Sequence, residues 1–355
     1  MTRNITPGLF GQKHSSRDYT CADNWGKNQF NSSFPASLVA YMHDKNLRPV
    51  YIRTNENNKI EHTYINCEDL FGINPLSDDA YYNFEAGFAP YEKYYQGDRE
   101  KIDLVMLNRK TNEVLTGLEI KLTALPDNTT KELEEIKWGT EIVMRPPTIN
   151  FLVCSICSNF DSKEGKDSLR ELLSVVPQIN HWEEADEVLE HFREIDMSIQ
   201  SIAINLCNKQ KPLVVQPIWK TEGNRMRLCE KCLDVFVWSN ISIIQMCRLT
   251  EADNLRRLNR YNRTIIWIYK MLLDFVTYGM FDYKRIIRLL SYNLANDKAF
   301  ALPGNKTRAF LHEKEVLNPR VSKYEIKNII LGGGQNMLSP ERRFDAVLVN
   351  SPELF

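Results

Sequence analysis

One stretch constrains this chain more than any other: residues 101–127, KIDLVMLNRKTNEVLTGLEIKLTALPD. Ile102–Asn108 is apolar with high strand propensity, Arg109–Asn112 is polar turn material, and Val114–Thr123 is a second alternating run. The pattern predicts a β-hairpin. Asp103 lies at the head of its first strand, and the second carries the triplet Glu119-Ile120-Lys121. Residues two apart in a strand share a face, so Glu119 and Lys121 project together and Ile120 faces away. Pairing of the two strands brings Asp103 beside Glu119, which places two carboxylates and an ammonium at one point. Hard oxygen donors of that kind suit Mg²⁺. A neighbouring lysine can orient or deprotonate an attacking water and offset charge on a phosphate in flight. The plain alternative is a surface hairpin that carries Glu and Lys on its wet face. Against it stands the apolar set Leu118, Ile120 and Leu122, which anchors the strand, together with a charge at the start of an otherwise apolar one.

The string Asp103-x15-Glu119-Ile120-Lys121 resembles the PD-(D/E)xK nuclease signature, except that Ile102 stands where that motif has proline. The flanking order of elements is of the αβββαβ kind that such a core requires. Ser33 can cap a helix over 35–43 with Pro35 in its first turn. Pro49–Arg53 and Ile60–Ile65 read as strands around the Asn-rich turn Asn55–Asn58, and residues 66–100 read as irregular and aromatic with short helical pieces. After the hairpin, Thr129–Glu141 reads as a crossing helix and Ile149–Cys157 as a buried strand. Residues 165–176 and 181–207 follow as helices. Leu213–Trp219 and Leu233–Trp238 read as strands, and residues 240–258, 261–277 and 283–294 as helices. A turn at Gly332–Gly334 and a last strand, Phe344–Val349, close the chain.

The 355 residues, 43% hydrophobic and 26% charged, describe a globular α/β protein with no repeat and no obvious linker. Its expected division is a nuclease core over 1–240, with an N-terminal DNA-contacting segment. A mainly helical, basic part over 241–355 then packs on the core as one unit. No apolar run approaches the ~20 residues of a membrane span; the nearest, Thr264–Phe281, is interrupted by Lys270, Asp274 and Thr277. The N-terminus lacks the apolar core of an export signal, so a cytoplasmic location and eight reduced cysteines are expected. Net charge is −1, but residues 255–345 hold 17 Lys and Arg against eight Asp and Glu, a local excess of nine positive charges. A basic C-terminal third on an otherwise acidic chain fits a directed phosphate-binding surface, or two unevenly charged faces.

Other constellations are weaker. The pairs Cys154/Cys157 and Cys229/Cys232 are 71 residues apart, beyond the spacing of a zinc ribbon, and the first lies in the expected buried strand, so buried thiols are the expectation. Gly332–Gly334 has no Lys-Ser/Thr after it and is no P-loop. No Gly-x-Ser-x-Gly elbow occurs, and no histidine has a partner at ligand spacing. Lys27, Asn28, Gln29, Asn31 and Ser32 form a polar cluster that can read adenine edges and hold phosphates, or simply cap a helix start. Arg342 and Arg343 can reach guanine or phosphate.

A narrower resemblance rests on longer blocks: PGLFGQKHSSRDYT and NWGKNQFNSSFPASL near the N-terminus, then GDREKIDLVM, GLEIKLTALPD and KWGTEIVMRPP. Over roughly residues 5–160 the chain resembles the HindVP-type family of type II restriction endonucleases. The resemblance implies a PD-(D/E)xK restriction-endonuclease-like core, a mixed central sheet flanked by helices with a helical C-terminal elaboration. It also implies Mg²⁺ dependence, a homodimer, a cognate DNA methyltransferase in the same system, and cleavage of double-stranded DNA at a short palindrome of the GRCGYC kind. Asp103, Glu119 and Lys121 match the catalytic motif one by one, with the Ile120 carbonyl as a third metal ligand and Glu85 as a supporting acid. The alternatives that stay open are a repair or structure-specific nuclease of the same superfamily, a non-catalytic DNA-binding protein, and a metal-dependent hydrolase of a small phosphorylated substrate.

Overall fold

The hairpin forms and sits inside a large mixed sheet. The computed structural model describes residues 36, 38–121, 123–126, 142–221, 228–249, 258–302 and 319–326. Helix α1 (residues 38–44) is followed by β1 (Val50–Thr54), β2 (Ile60–Tyr64), α2 (Cys67–Phe71) and β3 (Ala80–Gly87). The hairpin is β4 (Lys101–Asn108) and β5 (Glu113–Ile120). Asn108 Oδ1 accepts the N–H groups of Lys110 and Thr111 at 2.9 and 3.1 Å, and Asn112 takes the left-handed conformation at φ 57° that closes the turn. Then come β6 (Thr123–Pro126), β7 (Ile142–Met144), α3 (Pro146–Cys157), α4 (Lys163–Leu173), α5 (Ala185–Glu190) and α6 (Phe192–Asn205). The chain continues through β8 (Pro212–Thr221), β9 (Leu228–Ser239), α7 (Asn240–Leu249), α8 (Arg260–Tyr278), α9 (Tyr283–Leu289), β10 (Phe300–Leu302) and β11 (Val321–Ser322).

Among the described residues the central sheet runs β2-β1-β9-β8-β5-β4-β3, with β11 added to β9 and β6 to β8. β3, β4 and β5 form an antiparallel meander, and β5 then pairs parallel with β8. A parallel neighbour needs a long crossover. The segment between β5 and β8 supplies one, and α3, α4 and α6 cover one face of the sheet with it. The opposite face packs Leu38, Val39 and Met42 of α1 and Leu70 and Phe71 of α2 on Leu104, Met106, Leu118, Ile120, Val215 and Val237. The sheet is therefore buried on both sides, which suits its Val- and Ile-rich inner strands. Helix α8 enters the first of these cores through Ile265, Trp267, Ile268, Met271 and Phe275, so the helical part after β9 shares a hydrophobic core with α3, α4 and α6.

Three readings of the sequence need correction. Ile149–Cys157 is not a strand but the body of α3, and Thr148–Cys157 are buried without exception. Continuous apolarity of this length belongs to a buried helix as readily as to a strand, and periodicity cannot separate them. Pro146 and Pro147 decide it: at the first two helical positions their φ is preset for a helix and their missing N–H costs nothing. The strand delivered by the crossover is accordingly β8. Second, the span 66–100 contains a regular eight-residue strand, β3, at the sheet edge, where Tyr82 packs edge-on to Phe71 and stacks with Phe84. Third, the long helix over 181–207 is two helices broken at His191, whose φ and ψ of −101° and 8° are non-helical. The expected helix at 129–141, the Gly332–Gly334 turn and the strand Phe344–Val349 lie outside the described residues.

The described cysteines behave as buried thiols. Cys154 and Cys157 are fully buried on one helix, not on opposite faces of a strand, and burial pushes both thiols well up. Among the described residues no group of three His, Cys, Asp or Glu side chains stands together as a metal-ligand set.

Candidate active site

The β4–β5 ladder shifts register between Met106 and Leu107, runs on to Leu104 opposite Leu118 and then opens. One residue further on, a side chain replaces the backbone acceptor: Asp103 Oδ2 accepts the N–H of Ile120 at 2.7 Å. Glu119 projects beside it. Its Oε1 accepts a hydrogen bond from Lys121 Nζ at 2.6 Å and another from Thr148 Oγ1 at 3.1 Å. Lys121 is held from behind by its backbone N–H, which donates to the Val215 carbonyl of β8 at 2.9 Å. The strand is interrupted after Ile120, yet β6 resumes the same parallel register against β8, with Glu119 opposite Val214 and Thr123 opposite Ile218. Lys121 keeps its backbone bond to β8 there, in the middle of the sheet, while its side chain is aimed at Glu119.

The site is semi-enclosed. The Glu119 and Lys121 side chains are only 15% and 19% exposed. Desolvation and the adjacent Glu119 charge push the Asp103 carboxyl up to about 7; the Ile120 N–H and the Lys121 ammonium oppose the rise, and Glu85 adds to it. Glu85 reaches Asp103 from β3. The β3–β4 register passes from Phe84↔Leu104 to Ala86↔Ile102 and skips the position between, where Glu85 faces Asp103 with φ at +53°. A left-handed non-glycine residue inside a strand is strained, of order 1–3 kcal/mol, and such strain collects at functional positions.

These groups meet: Glu119 and Lys121 directly, Asp103 through the Ile120 N–H between them and through its charge interactions with both, and Glu85 through its charge on Asp103. Thr148 was not foreseen from sequence. With Ile149–Cys157 read as a strand, Thr148 had no assigned direction; the signal that places it is Pro146-Pro147 immediately before, which makes Thr148 the third residue of a helix. Lys27, Asn28, Gln29, Asn31, Ser32, Arg342 and Arg343 lie outside the described residues. The donor set fits a hard divalent cation. Among the described residues, two carboxylates crowd a desolvated point with a single ammonium, and the available ligand atoms are oxygens.

An antiparallel meander leading into a parallel strand across a helical crossover, with helices on both faces of a mixed sheet, makes this a restriction-endonuclease-like α/β protein. The chain belongs to the HindVP restriction endonuclease family, whose model matches residues 25–355. It is 41% identical over 351 residues to the type II restriction enzyme HgiDI of Herpetosiphon aurantiacus, covering 98% of this chain and 97% of that one. It is 40% identical over 358 residues to the probable type II restriction enzyme HindVP of Haemophilus influenzae, covering 99% and 96% of the two chains. No solved structure matches the chain.

Proposed function

We propose that the protein is a type II restriction endonuclease that hydrolyses phosphodiester bonds of double-stranded DNA at a short palindromic site, with Mg²⁺ as cofactor. The observation that carries this reading is the meeting of Asp103, Glu119 and Lys121 where the hairpin opens. Family membership and the names of its relatives support it.

Asp103 and Glu119 present the carboxylate oxygens that would hold the cation. The N–H and C=O of one strand residue leave on the same edge. The Ile120 carbonyl is therefore directed to the Asp103 side, where it serves as a third oxygen donor. When bound there, Mg²⁺ supplies Lewis-acid polarisation of the scissile phosphate and neutralises charge on the leaving oxygen. Lys121 positions the attacking water and, as an ammonium beside it, favours loss of the water's proton to solvent while offsetting phosphate charge. A bond forms from water oxygen to phosphorus, the ester P–O bond breaks, and the leaving oxygen takes a proton from solvent. Glu85 tunes Asp103 by charge.

A palindromic duplex calls for a two-fold dimer with one such site per subunit. The reading further assigns base and phosphate contacts to Lys27, Asn28, Gln29, Asn31, Ser32, Arg342 and Arg343, and expects a GRCGYC-like site. It also sets the enzyme beside a cognate DNA methyltransferase in the cytoplasm. The test is digestion of unmethylated plasmid DNA of several sequences in Mg²⁺, with EDTA and Glu119→Gln as controls. Discrete fragments that vanish in both controls support the reading. A smear would replace restriction by unspecific nuclease activity, and intact DNA on every substrate would leave a DNA-binding protein.

A further inference from the structure

Resting on that reading, we propose that Thr148 is a positioning residue for Glu119, fixing which carboxylate oxygen is free to meet the cation. Thr148 is 1% exposed, and its hydroxyl donates to Glu119 Oε1 at 3.1 Å. Lys121 Nζ donates to the same oxygen, so two donors from different elements converge on Oε1 and no described donor takes Oε2. A carboxylate held by one oxygen leaves the other free to meet a cation and cannot rotate between roles. Lysine alone would not do this, because its long stem moves with the substrate phosphate it also serves.

The position of Thr148 is itself well determined. Pro146 and Pro147 fix the first helical turn, and the Thr148 hydroxyl in that turn is turned outward to Glu119. The start of α3 is tied down in front by the β7–β10 pairing, by Ala299 N–H to the Met144 carbonyl at 2.8 Å, and by Arg145 to the Asp297 carbonyl at 3.3 Å. Behind it the helix is buried on all sides. The arrangement is that of an outer-shell partner that orients a metal-binding carboxylate, a class whose removal typically costs about 10- to 100-fold in metal affinity or activity.

The test compares wild type with Thr148→Val, which keeps the shape and loses the donor, and Thr148→Ser, which keeps the donor. Two readouts are taken: plasmid cleavage as a function of Mg²⁺ concentration, and Mn²⁺-induced thermal stabilisation without DNA. Thr148→Val is expected to cut about 10- to 100-fold more slowly, to need more Mg²⁺ for half its own maximal rate, and to show a raised Mn²⁺ midpoint at an unchanged metal-free melting temperature. Thr148→Ser should restore most of the rate and the midpoint. If Thr148→Val fails to fold, Thr148→Ala carries the same comparison. A valine variant with the wild-type rate and Mn²⁺ midpoint overturns the inference while leaving the nuclease reading intact, as does a serine variant no better than valine. Wild type that neither cuts DNA nor responds to Mn²⁺ removes both.

Discussion

The backbone N–H of Ile120 donates to Asp103 Oδ2 at 2.7 Å, so the residue between Glu119 and Lys121 uses its main chain to hold the other acid of the motif. The hydrogen bond favours the ionised carboxylate, yet burial and Glu119 outweigh it, and the Asp103 carboxyl rises to about 7. The site without metal therefore works against the stability of the fold, with a definite pH dependence.

Asp103→Asn should abolish cleavage and raise the melting temperature of the metal-free protein. In the unfolded chain Asp103 ionises near its ordinary value, 3.8, whereas in the fold it does so near 7. As pH rises between those values the unfolded state sheds its proton first, so native stability falls and the loss is complete above about 7. Asparagine keeps an acceptor for the Ile120 N–H and never ionises. Its advantage should be small at pH 4, grow to pH 7 and then level, reaching a few kcal/mol at roughly 1.4 kcal/mol per unit of pKa shift. Thermal unfolding in EDTA across that range checks it; a variant less stable than wild type at pH 8 would sink the argument.

Metal binding should carry the complementary signature. A cation at Asp103 must displace its proton below about pH 7, so affinity for Mg²⁺ or Mn²⁺ should strengthen as pH rises toward 7 and change little beyond. Calorimetry at pH 6 in two buffers of different ionisation enthalpy should register proton release, and the release should disappear near pH 8.5. EDTA should return the protein to its metal-free melting temperature.

The hairpin and its acids were legible in the sequence because they depend on short-range rules: period two, a polar turn, and a charge where an apolar strand begins. Leu213–Trp219 and Leu233–Trp238 were legible for the same reason and emerge as β8 and β9. Helix α3 was not, since a segment buried on every side has no periodicity to read. Strand β3 hid behind the distortion at Glu85, where a left-handed residue interrupts the alternation of Tyr82 and Phe84. Thr148 was out of reach because its role follows from the direction of a helix whose type had been misread.

Packing next to the site gives a prediction that does not depend on chemistry. Gly117 lies on β5 opposite Val105, and a Cβ there would stand 3.0 Å from the Phe88 ring. Phe88 is 6% exposed and held edge-on to Tyr91, so it has little room to yield. Gly117→Ala should destabilise the protein by about 1–3 kcal/mol, the usual range for overpacking a dense core. Denaturant unfolding measures this directly, and a change within about 0.5 kcal/mol, as for an ordinary surface substitution, would show that the ring gives way.

Lys121 separates catalysis from binding. Its ammonium sits 2.6 Å from Glu119 Oε1 in a pocket that leaves it 19% exposed. Lys121→Ala removes the charge that positions water, offsets the phosphate and restrains the rise of the Asp103 carboxyl, but leaves the strand pairing that Lys121 makes through its backbone N–H to Val215. Cleavage should fall by about 10²-fold or more, the scale of losing a positioned acid–base group. Affinity for DNA should weaken only by about one phosphate contact, lowering the salt slope by about one. Arginine at this position keeps the charge, but its rigid fork replaces a compact donor, so Lys121→Arg should bind DNA like wild type and still cut poorly. Parallel cleavage and salt-dependent binding curves for the two variants distinguish the roles. If Lys121→Arg cuts as fast as wild type, charge alone is what the site requires, and the assignment of water positioning to this lysine is wrong.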